Sequence, residues 1–219
     1  MIDTESILSE IKCGAWIDGT DATDLARASD FVIAHHISTV SVDADAVPVV
    51  WPWLEGHGIK IMARITAARG VNAGSMLSRA VRDVFMHGAD GAMVSLTPRM
   101  LGGFSDDMCL VRDDLFFNKN LTVVLDINGI EPDGWGAVLG PLRLVRADGL
   151  LLTLGHDAGD ASDFVGRVYG LLNVWGAGQF DGELDFAVGP NPIRTIQASR
   201  LVQKMRPDIA ERSRFYIPV

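Results

Sequence analysis

The sequence predicts a closed (β/α)8 barrel, on three observations. Eight short apolar segments punctuate the chain, near Cys13–Asp18, Thr39–Asp43, Ile59–Thr66, Gly91–Leu96, Leu121–Ile127, Gly149–Leu154, Glu183–Val188 and Arg214–Pro218. Their starts recur every roughly 20 to 35 residues, the size of one strand–helix unit. The links between them carry amphipathic helical patterns or turn residues, which implies a parallel sheet covered by helices. Two segments also share one build: "HGADGAMVSLTPR" at 87–99 and "VRADGLLLTLGHD" at 145–157 each run from an Ala-Asp-Gly turn through a buried strand into a polar loop. The rival architecture is an open doubly wound sheet, but no glycine-rich dinucleotide fingerprint follows the first strand.

Composition sets the setting. The chain has 219 residues, 48% of them hydrophobic, enough for one sizeable core over 1–219. No apolar run reaches the length of a membrane span. The opening "MIDTESILSEIK" has acidic residues and no apolar stretch, unlike a signal peptide. Cys13 and Cys109 stand far apart and form no redox or metal motif, which favours a reducing cytoplasm. A formal net charge of −9 argues against a nucleic-acid backbone and an anionic membrane as partners. The expected partner is a small molecule, and an anionic one fits the loop after the seventh strand, described below.

The helices follow in order. "DLARASDFVIAHH" succeeds the first strand with Asp24 as its cap, and "NAGSMLSRAVRDVFMHG" succeeds the third, stopped by Gly88. After the seventh strand, Asn191 suits a cap and Pro192 the first helical position, with Ile193, Ile196 and Leu201 as the buried stripe. About Thr4–Ile11 reads as a short extra helix, and "VVWPWLEGHG" in the second loop as packing. No helix is expected after the last strand, "RFYIPV". The uncovered surface there suits the opening helix, a second subunit in a homo-oligomer, or a segment lost by truncation.

Alternation along each strand decides which side chains enter the barrel, because a charge on the helix-facing side would be buried without a partner. In "IKIMARIT" this turns Lys60, Met62, Arg64 and Thr66 inward; in "LTVVLDIN", Thr122, Val124, Asp126 and Asn128. Asp18, Asp43, Met93, Ser95, Thr97, Thr153, Glu183 and Asp185 share that direction. Active sites of such barrels lie at the C-terminal ends of the strands. Arg64, Asp18, Asp43, Asp126, Asn128, Thr97 and Thr153 come late and should converge there, whereas Lys60 and Glu183 belong to the floor. Asp43, before "ADAVP", reads as a turn cap. Asp126 and Arg64 read as functional, since internal charge is costly without a task or partner.

Three chemistries are open at that mouth. "AVGPNPIRT" offers an anion site: Gly189 for close approach, free N–H groups at the helix starting near Asn191 and Pro192, and charge from Arg194. His156, beside Asp157 after the sixth strand, suits general acid–base work near neutral pH. Asp18 and Asp126 could hold magnesium, although nothing in their spacing is diagnostic. His35, His36, His57 and His87 fall on the opposite face.

The chain resembles the deoxyribose-phosphate aldolase branch of the class I aldolases. The resemblance rests on "WIDGTDAT", on "TVSVDADAVPVVWPWLEGHGIKIMARI", on "HGADGAMVSL" and "ADGLLLTLG", and on the "IRT" of 193–195. It implies a (β/α)8 barrel and, in the family, a Schiff-base lysine on the sixth strand, an assisting lysine on the seventh and an aspartate on the fourth. Those positions fall here on Leu151, within Asp185–Ala187, and on Met93. Leucine has no amine and forms no imine. The chain's lysines, Lys12, Lys60, Lys119 and Lys204, belong to the floor or to a helix. The expectation is therefore a divergent aldolase-like protein that binds a small phosphorylated or carboxylated metabolite. Asp126 and His156 would move protons, Arg64 would meet a carbonyl or carboxylate, and Gly189, Asn191, Arg194, Asn128 and Thr153 would bind substrate. No cofactor is expected on this reading. The alternatives are a non-catalytic binding or assembly barrel and a magnesium-assisted lyase.

Overall fold

A computed structural model describes residues 11–66, 73–101, 106, 109, 112, 119–153, 161–175, 180, 182–187 and 192–219, without the side chains of 73, 161–164 and 192–195. Eight parallel strands close into a ring: β1 (Cys13–Trp16), β2 (Thr39–Asp43), β3 (Lys60–Thr66), β4 (Gly91–Ser95), β5 (Asn120–Asp126), β6 (Gly149–Thr153), β7 (Glu183–Ala187) and β8 (Phe215–Pro218). β8 pairs back onto β1, with Cys13 opposite Phe215 and Trp16 opposite Pro218. The expected (β/α)8 barrel is the fold. Most strands are a residue or two shorter than their apolar runs. Asp18 thus lies beyond β1, and Ile127 opens a single 3-10 turn after β5.

Helices α1 (Ala22–Ala34), α2 (Val47–Leu54), α3 (Ala73–Met86), α4 (Trp135–Leu144), α5 (Ala161–Val174), α6 (Pro192–Met205) and the short α7 (Pro207–Ala210) connect the strands. Two details differ from the sequence reading. The cap of α1 is Asp21, whose carboxylate accepts the N–H groups of Thr23 and Asp24 at 2.9 and 3.3 Å. Asp24 sits in the first turn instead, 3.6 Å from Arg27. The "VVWPW" segment is helical, with Val47, Val50 and Leu54 buried; its first proline falls in the opening turn, where a missing N–H costs nothing. On α6 the buried positions are Ile196, Ala198, Ser199 and Val202, while Leu201 is half-buried. Gly88 ends the turn after α3 at φ +100°, with the Trp51 ring where a Cβ would stand. The proposed helix near 4–11 lies outside the described residues except for Ile11, which, like Cys13, packs against Ile196 and Ile217.

Alternation divides the apolar residues into two cores. Val40, Val42, Ile61, Ala63, Ile65, Val94, Val123, Leu125, Leu150, Leu152 and Phe186 face the helices and join the large outer core. The residues between them in sequence, Met62, Met93, Val124 and Leu151, join Ala187, Tyr216 and Trp16 in a separate cluster inside the barrel. The inward assignments of Met62, Met93 and Val124 hold.

The repeated Ala-Asp-Gly turn has a structural task. Asp90 donates its N–H to the Ile61 carbonyl at 2.8 Å and accepts the Ile61 N–H on its carboxylate at 2.9 Å. Asp148 does the same to Leu121, at 2.8 and 2.7 Å, and its carboxylate also receives both arms of Arg112 at 2.9 Å. Each aspartate thereby satisfies the amide of the second residue of the preceding strand and so ties the floor turn to that strand. Asp90→Ala should cost about 1–3 kcal/mol, the penalty of an orphaned amide. Urea denaturation should show a lower midpoint at unchanged slope.

Candidate functional site

At the mouth, one arginine gathers three strands. Arg64, next to last but one on β3, has a side chain only 8% exposed. Its Nε donates to Asp43 Oδ1 at 3.1 Å and its Nη1 to the Ser41 carbonyl at 2.9 Å. Its Nη2 reaches the Ile17 carbonyl at 2.6 Å, Asp18 Oδ1 at 3.0 Å and Asp43 Oδ1 at 2.9 Å. The guanidinium lies 4.3 Å from the Trp16 ring centroid, and the Trp16 indole N–H donates to Asp18 at 2.8 Å. Every guanidinium nitrogen thus has an acceptor from the chain itself. A carboxylate or carbonyl arriving here would have to displace one of them, and Asp18, at 76% exposed against 47% for Asp43, is the looser. Asp43 is no turn cap, contrary to expectation: the single-turn helix it precedes receives no side-chain bond from it.

A second group lies two strands on. Asp126 ends β5 opposite Thr153 of β6. Asp126 is exposed and accepts the Asn128 N–H at 2.9 Å, so it caps the turn that follows. Asn128 is exposed, and the Thr153 hydroxyl donates to the Leu125 carbonyl at 3.4 Å. Arg167 of α5 fixes this turn from below by donating to the carbonyls of Ile127, Asn128 and Ile130. Asp126, Asn128 and Thr153 are therefore neighbours, separate from the Arg64 group. His156, Gly189 and Asn191 lie outside the described residues, as does the side chain of Arg194.

Among the described residues no three His, Cys, Asp or Glu side chains converge as a metal site. The two carboxylates of the magnesium reading, Asp18 just past β1 and Asp126 at the end of β5, follow strands at opposite positions in the ring. Below the mouth the inner cluster is apolar, with Met93 and Leu151 0% exposed and packed with Ala187 and Tyr216, while the buried Asp185 stands beside Leu151 as its register partner. The four lysines lie elsewhere. Lys60 opens β3 four residues before Arg64, about 13 Å short of the mouth at strand rise. Lys119 donates to the Ala89 carbonyl at 2.8 Å, Lys12 is exposed ahead of β1, and Lys204 is exposed on α6.

Comparison with solved structures matches this barrel to a provisionally assigned deoxyribose-phosphate aldolase from Coccidioides immitis, at a TM-score of 0.73 and 15% identity over 95% of this chain and 81% of that one. The fold is that of the deoxyribose-phosphate aldolases. A provisionally assigned enzyme of the same kind from Toxoplasma gondii ME49 matches at 0.70 and 18% identity, over 94% and 87% of the two chains. The tetrameric deoxyribose phosphate aldolase from Aeropyrum pernix matches at 0.69 and 12% identity, over 97% and 91%. No family model matches the chain, and no curated protein matches it significantly. Among the described residues no helix is long and apolar enough to cross a membrane.

Sequence reading singled out Arg64 but missed its lattice. Ser41 and Asp43 share its inward direction on the adjoining strand, and Asp43 is its register partner. Pairing inward charges between neighbouring strands would have found them. Arg64→Lys should lower stability by about 1–3 kcal/mol, because an ammonium cannot span acceptors on three segments. Asp18→Asn should cost less than about 1 kcal/mol, its carboxylate being largely in water. Parallel guanidinium denaturation curves of the two variants check the order.

Proposed function

We propose that this chain uses the aldolase barrel to bind a small phosphorylated or carboxylated metabolite at its mouth, and that any chemistry there proceeds without an imine. One observation carries the reading. The positions beneath the mouth to which the resemblance assigns the family's reactive side chains hold Met93, Leu151 and the Asp185–Ala187 run, none of which carries an amine, and Lys12, Lys60, Lys119 and Lys204 lie away from them. Proton transfer would then fall to Asp126 and His156, acting on a substrate that Asn128 and Thr153 contact. Gly189, Asn191 and Arg194, at the start of the fourteen-residue α6, would take a phosphate at the helix N-terminus. If catalytic, the protein would cleave or isomerise a carbon skeleton by acid–base steps.

The closed Arg64 lattice favours a second reading, a barrel that binds without turning over. An arginine whose nitrogens all serve the chain's own acceptors holds the mouth in shape and has no bond to spare for a reacting carbonyl.

Two measurements test these readings. Borohydride reduction in the presence of deoxyribose 5-phosphate should leave the intact mass unchanged; a reduced adduct on any lysine would refute the imine-free reading. In a melting panel of phosphosugars and keto acids, the right ligand at a hundredfold excess over its Kd should add ~2.7 kcal/mol, a rise of about 5 °C or more. Product formation with that ligand separates the catalytic reading from the binding one. A panel that shifts nothing counts against both.

A further inference from the structure

The barrel interior holds a charge arrangement that the mouth does not use. Asp185, at the centre of β7, points inward, and its side chain is 5% exposed. Its Oδ1 accepts the backbone N–H of Arg214 at 2.8 Å, and its Oδ2 lies 3.2 Å from Arg214 Nη1. The same guanidinium is also held by Glu183, at 2.6 Å from Nη1 and 3.3 Å from Nη2. One buried cation therefore serves two carboxylates, and the more exposed of them, Glu183 at 43%, has the closer contact. Arg214 Nε is buried and has no acceptor. The cluster carries one negative charge more than it neutralises, and it carries it inside the barrel.

We propose that Asp185 is a proton-binding site whose protonation stabilises the folded barrel on mild acidification. Uptake of one proton from solvent converts the aspartate to a neutral acid, and Glu183 keeps the guanidinium as its full counter-ion. Asp185 still accepts the Arg214 N–H through its carbonyl oxygen, so the link between strands survives protonation. The groups facing it are few. β7 contributes Glu183, and β8 contributes Arg214 and Tyr216, while its register partner on β6 is the apolar Leu151. Tyr216 is buried and held neutral far above physiological pH, so it does not compete for the proton. Lys60, inward-facing on β3, is exposed to solvent.

Desolvation, opposed in part by Arg214, raises the Asp185 carboxyl to about 6 from an ordinary 3.8. The folded chain then binds this proton more tightly than the unfolded chain. The contribution to stability grows as pH falls through about 6 and is complete below the unfolded value. The β7–β8 ladder beside it has only two register pairs, Phe186 with Phe215 and Ala187 with Tyr216. Both Ala187 and Tyr216 belong to the inner apolar cluster, which joins the floor to the base of the mouth.

Carboxyl-carbon NMR of aspartate-labelled protein, titrated from pH 8 to 3, tests this directly. One aspartate resonance should titrate with a midpoint near 6, and it should vanish in Asp185→Asn. In Glu183→Gln the midpoint should fall, since Asp185 then has the guanidinium to itself. The melting temperature of the native sequence should gain on Asp185→Asn between pH 7.5 and 5. If every aspartate titrates below pH 5, or if the resonance near 6 is unmoved by Glu183→Gln, the proposal is wrong. The titration of the native sequence decides the matter even if Asp185→Asn fails to fold.

Discussion

Closing a parallel sheet into a ring abolishes its edges, and the closure must hold where the hydrogen-bonded ladder is shortest. Here two seams have only two register pairs each, β1–β2 and β7–β8. Both are laced by an arginine. Arg64 reaches from β3 across Ser41 and Asp43 to Ile17 and Asp18, joining three segments at the mouth. Arg214 ties the start of β8 to Glu183 and Asp185 on β7 at the floor. A buried guanidinium is costly to desolvate, and it persists where several acceptors fix its fork. The rest of the architecture follows from closure: an outer core against the helices, and a smaller inner core with the buried Ser41, Thr122 and Asp185 beside it.

That inner core shapes what the protein can do. In a barrel of this size the interior is filled by side chains in layers, and chemistry is confined to the C-terminal rim. Met62, Met93, Val124 and Leu151 fill the layer beneath the rim, with Trp16 and Tyr216 packed edge to face at 6.3 Å between ring centres. The rim above it is acidic where it is described, with Asp18 and Asp43 around one internally compensated arginine and Asp126 two strands on. Likeness of fold to the aldolases supplies the scaffold; the chemistry has to come from the side chains this chain carries.

Much of this was legible in the sequence, for a physical reason. Side-chain alternation is a property of the strand itself, so the inward direction of Met62, Arg64, Val124 and Asp126 follows from the pattern alone. All eight strands fall within a residue or two of their apolar runs. What alternation cannot give is partnership. Asp43 looked like a turn cap and is an arginine ligand, whereas Asp126 caps its turn. That difference depends on register between strands far apart in sequence. The cap of α1 moved from Asp24 to Asp21 because an N-cap is fixed by where the chain leaves the extended region, which hydrophobic periodicity locates only to within a turn. The inward pair Glu183 and Asp185 was visible as parity on one strand, and Arg214 joined it only once the ring was closed.

Everything proposed for the mouth rests on the inward-facing cluster of Met62, Met93, Val124 and Leu151 directly beneath the rim. A methyl-labelled NOESY experiment on the methionine ε and leucine and valine methyl groups examines it most directly. The Met62 and Met93 methyls should show cross-peaks to Leu151 and Val124, and none to the methyls of Leu150 or Leu152, which face the helices. Strong contacts from Met93 to Leu150 or Leu152, with none to Leu151, would mean that the strand faces are reversed and that the proposed mouth is built from the wrong residues.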